Sequence, residues 1–115
     1  MKTQFTDVLD AMTKQRGVRA SLIVGATDGM TVDANTQIGS EVTRVAALAA
    51  SLYHKARKSA AAAGLGATGF MQLEAEAGRI CIIGGDELVL VVVAEREANV
   101  GLIRVEMLRA TKVLA

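Results

Sequence analysis

The chain has 115 residues, 51% of them hydrophobic but only 3% aromatic, with no Trp, no Pro and a formal charge of +1 from 13 basic and 12 acidic residues. This excludes disorder, which needs low hydrophobicity and high net charge. It also argues against a nucleic-acid binder that works by phosphate neutralisation and base stacking. The length suits one core, so residues 1–115 are expected to form a single domain.

Cys81 is the only cysteine. No intrachain disulfide can form, and no Cys/His spacing matches a zinc site, so neither a metal nor a cofactor is expected. The first residues, Met1-Lys2-Thr3-Gln4-Phe5-Thr6-Asp7, lack the apolar core of a signal peptide. The longest aliphatic run, Leu88 to Ala94, is far short of the ~20 residues of a membrane span. Cytoplasmic localisation without membrane insertion is the expectation.

In chain order, Phe5, Val8, Leu9 and Met12 fall at i, i+3, i+4 and i+7, which predicts a helix over 3–15, stopped near Gly17. Val18 to Ala26 reads as a strand. Asp28-Gly29 predicts a type I′ hairpin turn with positive φ at both central residues, and Met30 to Asn35 is the returning strand. Ser40 can cap a second helix, with Glu41 favourably placed against its dipole, and this helix runs to about Ala63 and ends at Gly64. Three further strands follow: Phe70 to Glu76, Arg79 to Ile83 and Leu88 to Ala94. Turn signals at Ala77-Gly78 and Gly84-Gly85-Asp86 make them an antiparallel meander. Leu88 to Ala94 does not alternate at all, so it must be covered on both faces and lie centrally. Asn99 can cap a last helix on which Ile103, Met107, Ala110 and Leu114 keep helical spacing. The reading is an α+β sandwich of order α-β-β-α-β-β-β-α.

The long second helix carries an excess of apolar residues. Arg44, Ser51, Lys55 and Lys58 gather in one narrow stripe, while Val42, Val45, Ala46, Leu48, Ala49, Ala50, Leu52, Tyr53 and Ala56 fill most of the remaining circumference. A helix on its own sheet needs an apolar arc a little over ~100° wide, and this one is roughly twice that. A second surface must cover the rest. Val42, Val45, Ala49, Leu52 and Ala56 repeat in 3-4 spacing, the seam on which another helix could pack, so a homodimer is expected.

Candidate chemistry is sparse. Gly64 to Gly69 matches GxGxxG, but a helix precedes it and a strand follows, the reverse of the nucleotide-binding arrangement, so it reads as a helix stop and turn. Asp86 and Glu87 belong to a hairpin turn and lack a third metal ligand. Cys81 lies mid-strand, where a thiol is inert, and nothing around His54 marks a general base. His54-Lys55-Ala56-Arg57-Lys58 is a basic cluster. It is either a solvated face complementing the helix end or a docking patch for an acidic partner.

Val18-Arg19-Ala20-Ser21-Leu22-Ile23-Val24 leading into Asp28-Gly29-Met30-Thr31-Val32, then Ala46 to Ala50, then Leu88-Val89-Leu90-Val91 and Asn99-Val100-Gly101-Leu102-Ile103-Arg104 together resemble the Roadblock / dynein light-chain family. Its bacterial branch includes MglB-like regulators of Ras-like GTPases. The resemblance implies a five-stranded antiparallel sheet with the long helix on one face and the terminal helices on the other. It implies dimers paired through the long helix and through the strand 70–76, giving one sheet across both chains. The expected interface then comprises Val42, Val45, Ala46, Ala49, Leu52, Tyr53, Ala56, Met71 and Leu73. It also implies a non-enzymatic regulator or recruiter of a small Ras-like GTPase, able at most to stimulate the partner's own GTP hydrolysis by fixing a switch loop. Arg44, His54, Lys55, Arg57 and Lys58 are candidate partner contacts, and no residue takes a catalytic role. A purely structural dimerisation adaptor and a small-molecule sensor remain as alternatives.

Overall fold

The computed structural model describes residues 3–36 and 41–114. The elements are α1 (Thr6–Thr13), β1 (Val18–Gly25), β2 (Thr31–Thr36), α2 (Val42–Ala62), β3 (Met71–Ala75), β4 (Gly78–Gly84), β5 (Leu88–Glu95), α3 (Val100–Arg109) and α4 (Thr111–Leu114). The five strands form one antiparallel sheet in the order β2-β1-β5-β4-β3. The expected meander β3-β4-β5 is present, and the non-alternating β5 is the central strand.

Each residue of β5 from Leu88 to Ala94 is claimed by one layer or the other. Leu90, Val92 and Ala94 pack with Phe5, Leu9, Met12, Ile103, Met107 and Leu114 on the face covered by α1, α3 and α4. Val89 and Val91 pack with Ala46, Ala49, Ala50 and Tyr53 of α2 on the opposite face. A continuous apolar run is what a strand buried on both faces requires. On the terminal-helix side, the buried Ser21 hydroxyl donates to the Leu9 carbonyl at 3.0 Å, which ties α1 to β1 without leaving a buried donor unpaired.

The helix ends follow local chemistry. Asn99 caps α3 by accepting from the Leu102 amide at 3.1 Å. After α2, Gly64 takes φ +75°, and the amides of Gly64 and Leu65 bond back to the carbonyls of Ala61 and Ala60. This is a Schellman stop, so the glycine-rich link is a terminator. Gly17 takes φ +87° and lies so close to Ala98 that a Cβ there would sit 2.8 Å from its methyl.

Three expectations change. The first helix is shorter than 3–15, with Phe5 at its N-cap position. The Asp28-Gly29 turn is not type I′, because only Gly29 has positive φ. Instead Asp28 Oδ1 accepts from the Met30 amide at 2.9 Å, and the Gly25 amide bonds to the Met30 carbonyl, closing a wider loop. The last helix is two pieces. It breaks at Ala110, whose amide is shared between the Glu106 and Met107 carbonyls, while the Thr111 hydroxyl takes the Leu108 carbonyl at 2.7 Å. The cap expected at Ser40 lies outside the described residues, and Glu41, at the N-cap position of α2, makes no side-chain cap bond.

Candidate interaction surface

Three of the four buried residues of α2, Ala46, Ala49 and Ala50, are alanines, and their small side chains let the helix lie close to the sheet. Two side chains then fix the helix over the turn end of the sheet. The Tyr53 hydroxyl donates to the Gly84 carbonyl at 3.0 Å. Arg57 reaches the Gly85 carbonyl at 3.3 Å and Asp86 Oδ1 at 2.9 Å, with its guanidinium 5.7 Å from the centre of the Tyr53 ring. At the other end of the contact, Gly29 packs on Ala47 so closely that a Cβ would sit 3.1 Å from the Ala47 Cα. Both turns that hold α2, β1–β2 and β4–β5, lie at the same end of the strands.

Coverage therefore stops halfway down the sheet. On the face toward α2, Ile82, Val89 and Val91 are fully buried, whereas Ile80 and Val93, further from the turns on the same strands, are partly open. Leu73 and Ala75, which alternate with Met71 on that face of β3, are exposed. Leu73, Ala75, Ile80 and Val93 line an apolar groove of about 280 Å³. The flank of α2 that points away from the turns carries Val45, Leu48 and Leu52, with Leu48 61% and Leu52 36% exposed. β3 itself is an edge strand that pairs with β4, and among the described residues no strand lies along its outer backbone groups.

The residues expected at an interface thus divide. Ala46, Ala49 and Tyr53 are already buried against the chain's own sheet, and Val42 and Met71 are partly buried there. Val45 and Ala56 are half-buried, and Leu52 and Leu73 are exposed. Leu48, absent from the expected set, is the most exposed large apolar residue on α2. The sequence counts it in the apolar arc but outside the 3-4 seam, and the sharpest signal available was its position next to Leu52 on the same flank.

The basic candidates divide as well. Arg44, His54, Lys55 and Lys58 are exposed, while Arg57 is engaged with the β4–β5 turn. No acidic residue lies between Val42 and Ala62. His54 stands between two clefts. One, of about 380 Å³, runs between the β1–β2 loop and α2 past Asp28, Ala47 and Ser51. The other, of about 420 Å³, is a shallow recess shared with Lys58 and Thr68. Both lie on the outer flank of α2, and the interface between α2 and the sheet is filled by side chains. Burial pushes the Cys81 thiol up from its ordinary range, with the nearby Arg79 opposing, so it stays protonated in the core. No cluster of three or more metal-ligating side chains occurs among the described residues, and none of their helices is long and apolar enough to cross a membrane.

The family model of the Roadblock/LC7 domain matches residues 4–94. The chain belongs to the Roadblock/LC7 family. Within the family's wider company, the uncharacterized protein MJ1340 of Methanocaldococcus jannaschii is 30% identical over 91% of each chain. Among solved structures, Myxococcus xanthus MglB superposes with a TM-score of 0.83 at 22% identity, covering 94% of this chain and 89% of that one. An MglB with a tetrameric arrangement superposes with a TM-score of 0.85 at 19% identity, covering 100% of this chain and 90% of that one. These likenesses carry the Roadblock/LC7 fold, with its long helix on one face and the terminal helices on the other.

Proposed function

We propose that residues 1–115 act as a single Roadblock-type unit that forms a cytoplasmic homodimer and regulates or recruits a small Ras-like GTPase without catalytic residues of its own. The observation that carries this reading is the apolar flank of α2, Val45, Leu48 and Leu52, continuing onto the uncovered half of the sheet at Leu73, Ala75, Ile80 and Val93. A monomer gains nothing from leaving such a surface wet, and a second copy of α2 is the shape that fits beside the first. Edge-to-edge pairing of β3 with its counterpart accounts for the open edge in the same step.

The paired helices then form one platform on which Arg44, His54, Lys55 and Lys58 face outward. Arg57 has a different role, holding the β4–β5 turn against α2. GTP hydrolysis depends on placing the attacking water and stabilising phosphate charge, so a partner that fixes a switch loop can accelerate it without inserting a group. The test is a pull-down from native cytoplasm followed by a hydrolysis assay on any recovered GTPase. A raised rate supports the regulator. A retained GTPase with an unchanged rate assigns the adaptor role instead, and recovery of no GTPase contradicts the proposal.

A further inference from the structure

The flank of α2 away from Val45 and Leu52 carries polar groups that the pairing of α2 leaves uncovered. His54 and Lys58 stand there at i and i+4, so their side chains share one strip of the helix. Across the recess of about 420 Å³ from them is the link that follows α2, at Gly66, Ala67 and Thr68. Both walls are held by the fold itself. The Tyr53 hydroxyl lies 3.5 Å from the Thr68 carbonyl, and Arg57, which also lines the recess, is bound to the Gly85 carbonyl and to Asp86.

The recess presents donors without internal partners. Among the described residues Lys58 makes no ion pair and His54 no hydrogen bond. The amides of Gly64 and Leu65 close the helix stop, whereas those of Gly66 and Ala67 donate to no carbonyl among the described residues. Gly66 takes φ +83° and Ala67 a negative φ, a succession that can turn neighbouring amides to one side, as in an anion-binding nest. A Cβ on Gly66 would meet nothing within 4 Å, so the backbone there lies open to an incoming group. The Thr68 hydroxyl oxygen is buried without a partner, and a bound ion is one of the few reasons a fold keeps such an orphan. No carboxylate lines the recess, and the nearby Asp86 is paired with Arg57 at 2.9 Å.

We propose that this recess binds a phosphate group, held by Lys58 and His54 on one side and by the amides of Gly66 and Ala67 on the other. An ammonium and backbone amides approaching from two walls need an anion with oxygens facing several directions, which a tetrahedral phosphate offers and a planar carboxylate does not. The C-terminal end of α2 is itself partly negative, so the attraction comes from the side chains and Lys58 is the decisive residue. Because the recess is shallow, the group that carries the phosphate stays in solvent. The site needs neither the pairing of α2 nor a GTPase.

Titration of isotope-labelled protein with inorganic phosphate at constant ionic strength, followed by amide NMR, tests the site. The signals of Gly66, Ala67 and Thr68 should shift together and saturate. Lys58→Ala should weaken binding about tenfold, the effect of losing one charge-assisted bond. Lys55→Ala removes the same charge from α2 outside the recess and should change the affinity by less than about twofold, because solvent screens a charge that does not touch the ligand. Both lysines are exposed, and circular dichroism checks that both variants remain folded. Phosphoserine and adenosine monophosphate, titrated in the same way, separate the sources. Tighter binding of phosphoserine than of inorganic phosphate assigns a modified side chain, tighter binding of the nucleotide assigns a nucleotide, and equal affinity assigns the free ion. Shifts that fail to saturate by about 50 mM phosphate, or equal losses in Lys55→Ala and Lys58→Ala, would overturn the proposal.

Discussion

The two faces of the sheet are packed by different means. The terminal-helix face is filled with large side chains, Phe5, Leu9, Met12, Ile103, Met107 and Leu114, contributed by three helices that reach both ends of β5. The α2 face uses Ala46, Ala49 and Ala50, with Tyr53 as its one large helical residue, and leaves Leu73 and the flank of α2 open. Large side chains close a face from within. Small ones bring a helix close and narrow the strip it can cover, so one face is a complete core and the other is half of one.

Substitutions sharpen that contrast. Met107→Ala removes a fully buried side chain from the closed face and should cost about 2–5 kcal/mol in urea unfolding. A loss under about 1 kcal/mol would mean that this face is loosely packed. Ala50→Leu forces volume into the close contact between α2 and the sheet and should cost about 1–3 kcal/mol. If it is neutral, the helix does not depend on alanine to lie where it does. Tyr53→Phe keeps the packing and removes the bond to the Gly84 carbonyl, an expected loss of about 1 kcal/mol by the same measurement. Leu48→Glu sits on the open flank and should change the stability of an isolated chain by less than about 0.5 kcal/mol, checked by thermal unfolding at low concentration.

What the sequence reveals about this fold follows the same division. The closed face was legible because its signals are local and periodic: Phe5, Leu9 and Met12 at helical spacing, the unbroken run of β5, the cap at Asn99, the turn at Gly17. The excess apolar arc of α2 was legible for the same reason. Which residues of that arc meet the chain's own sheet was not, because a wheel shows angular position but not the direction of the sheet. Ala49 was placed on an outer seam and lies inward, while Leu48 lies outward. Arg57 stood among the candidate partner contacts because its own partners, Gly85 and Asp86, are distant in sequence and are brought near by the β4–β5 turn. The break at Ala110 was hidden by buried positions that keep one helical period across it.

The claim on which the rest depends is that the α2 face is completed by a second chain. Sedimentation of the unmodified protein and of Leu48→Glu at 10 μM tests it most directly. The expected result is a mass of at least two chains for the unmodified protein and a loss of that pairing through α2 in the variant, with the same far-ultraviolet circular dichroism for both. A single-chain mass for the unmodified protein, or an identical assembly in the two, would contradict the account.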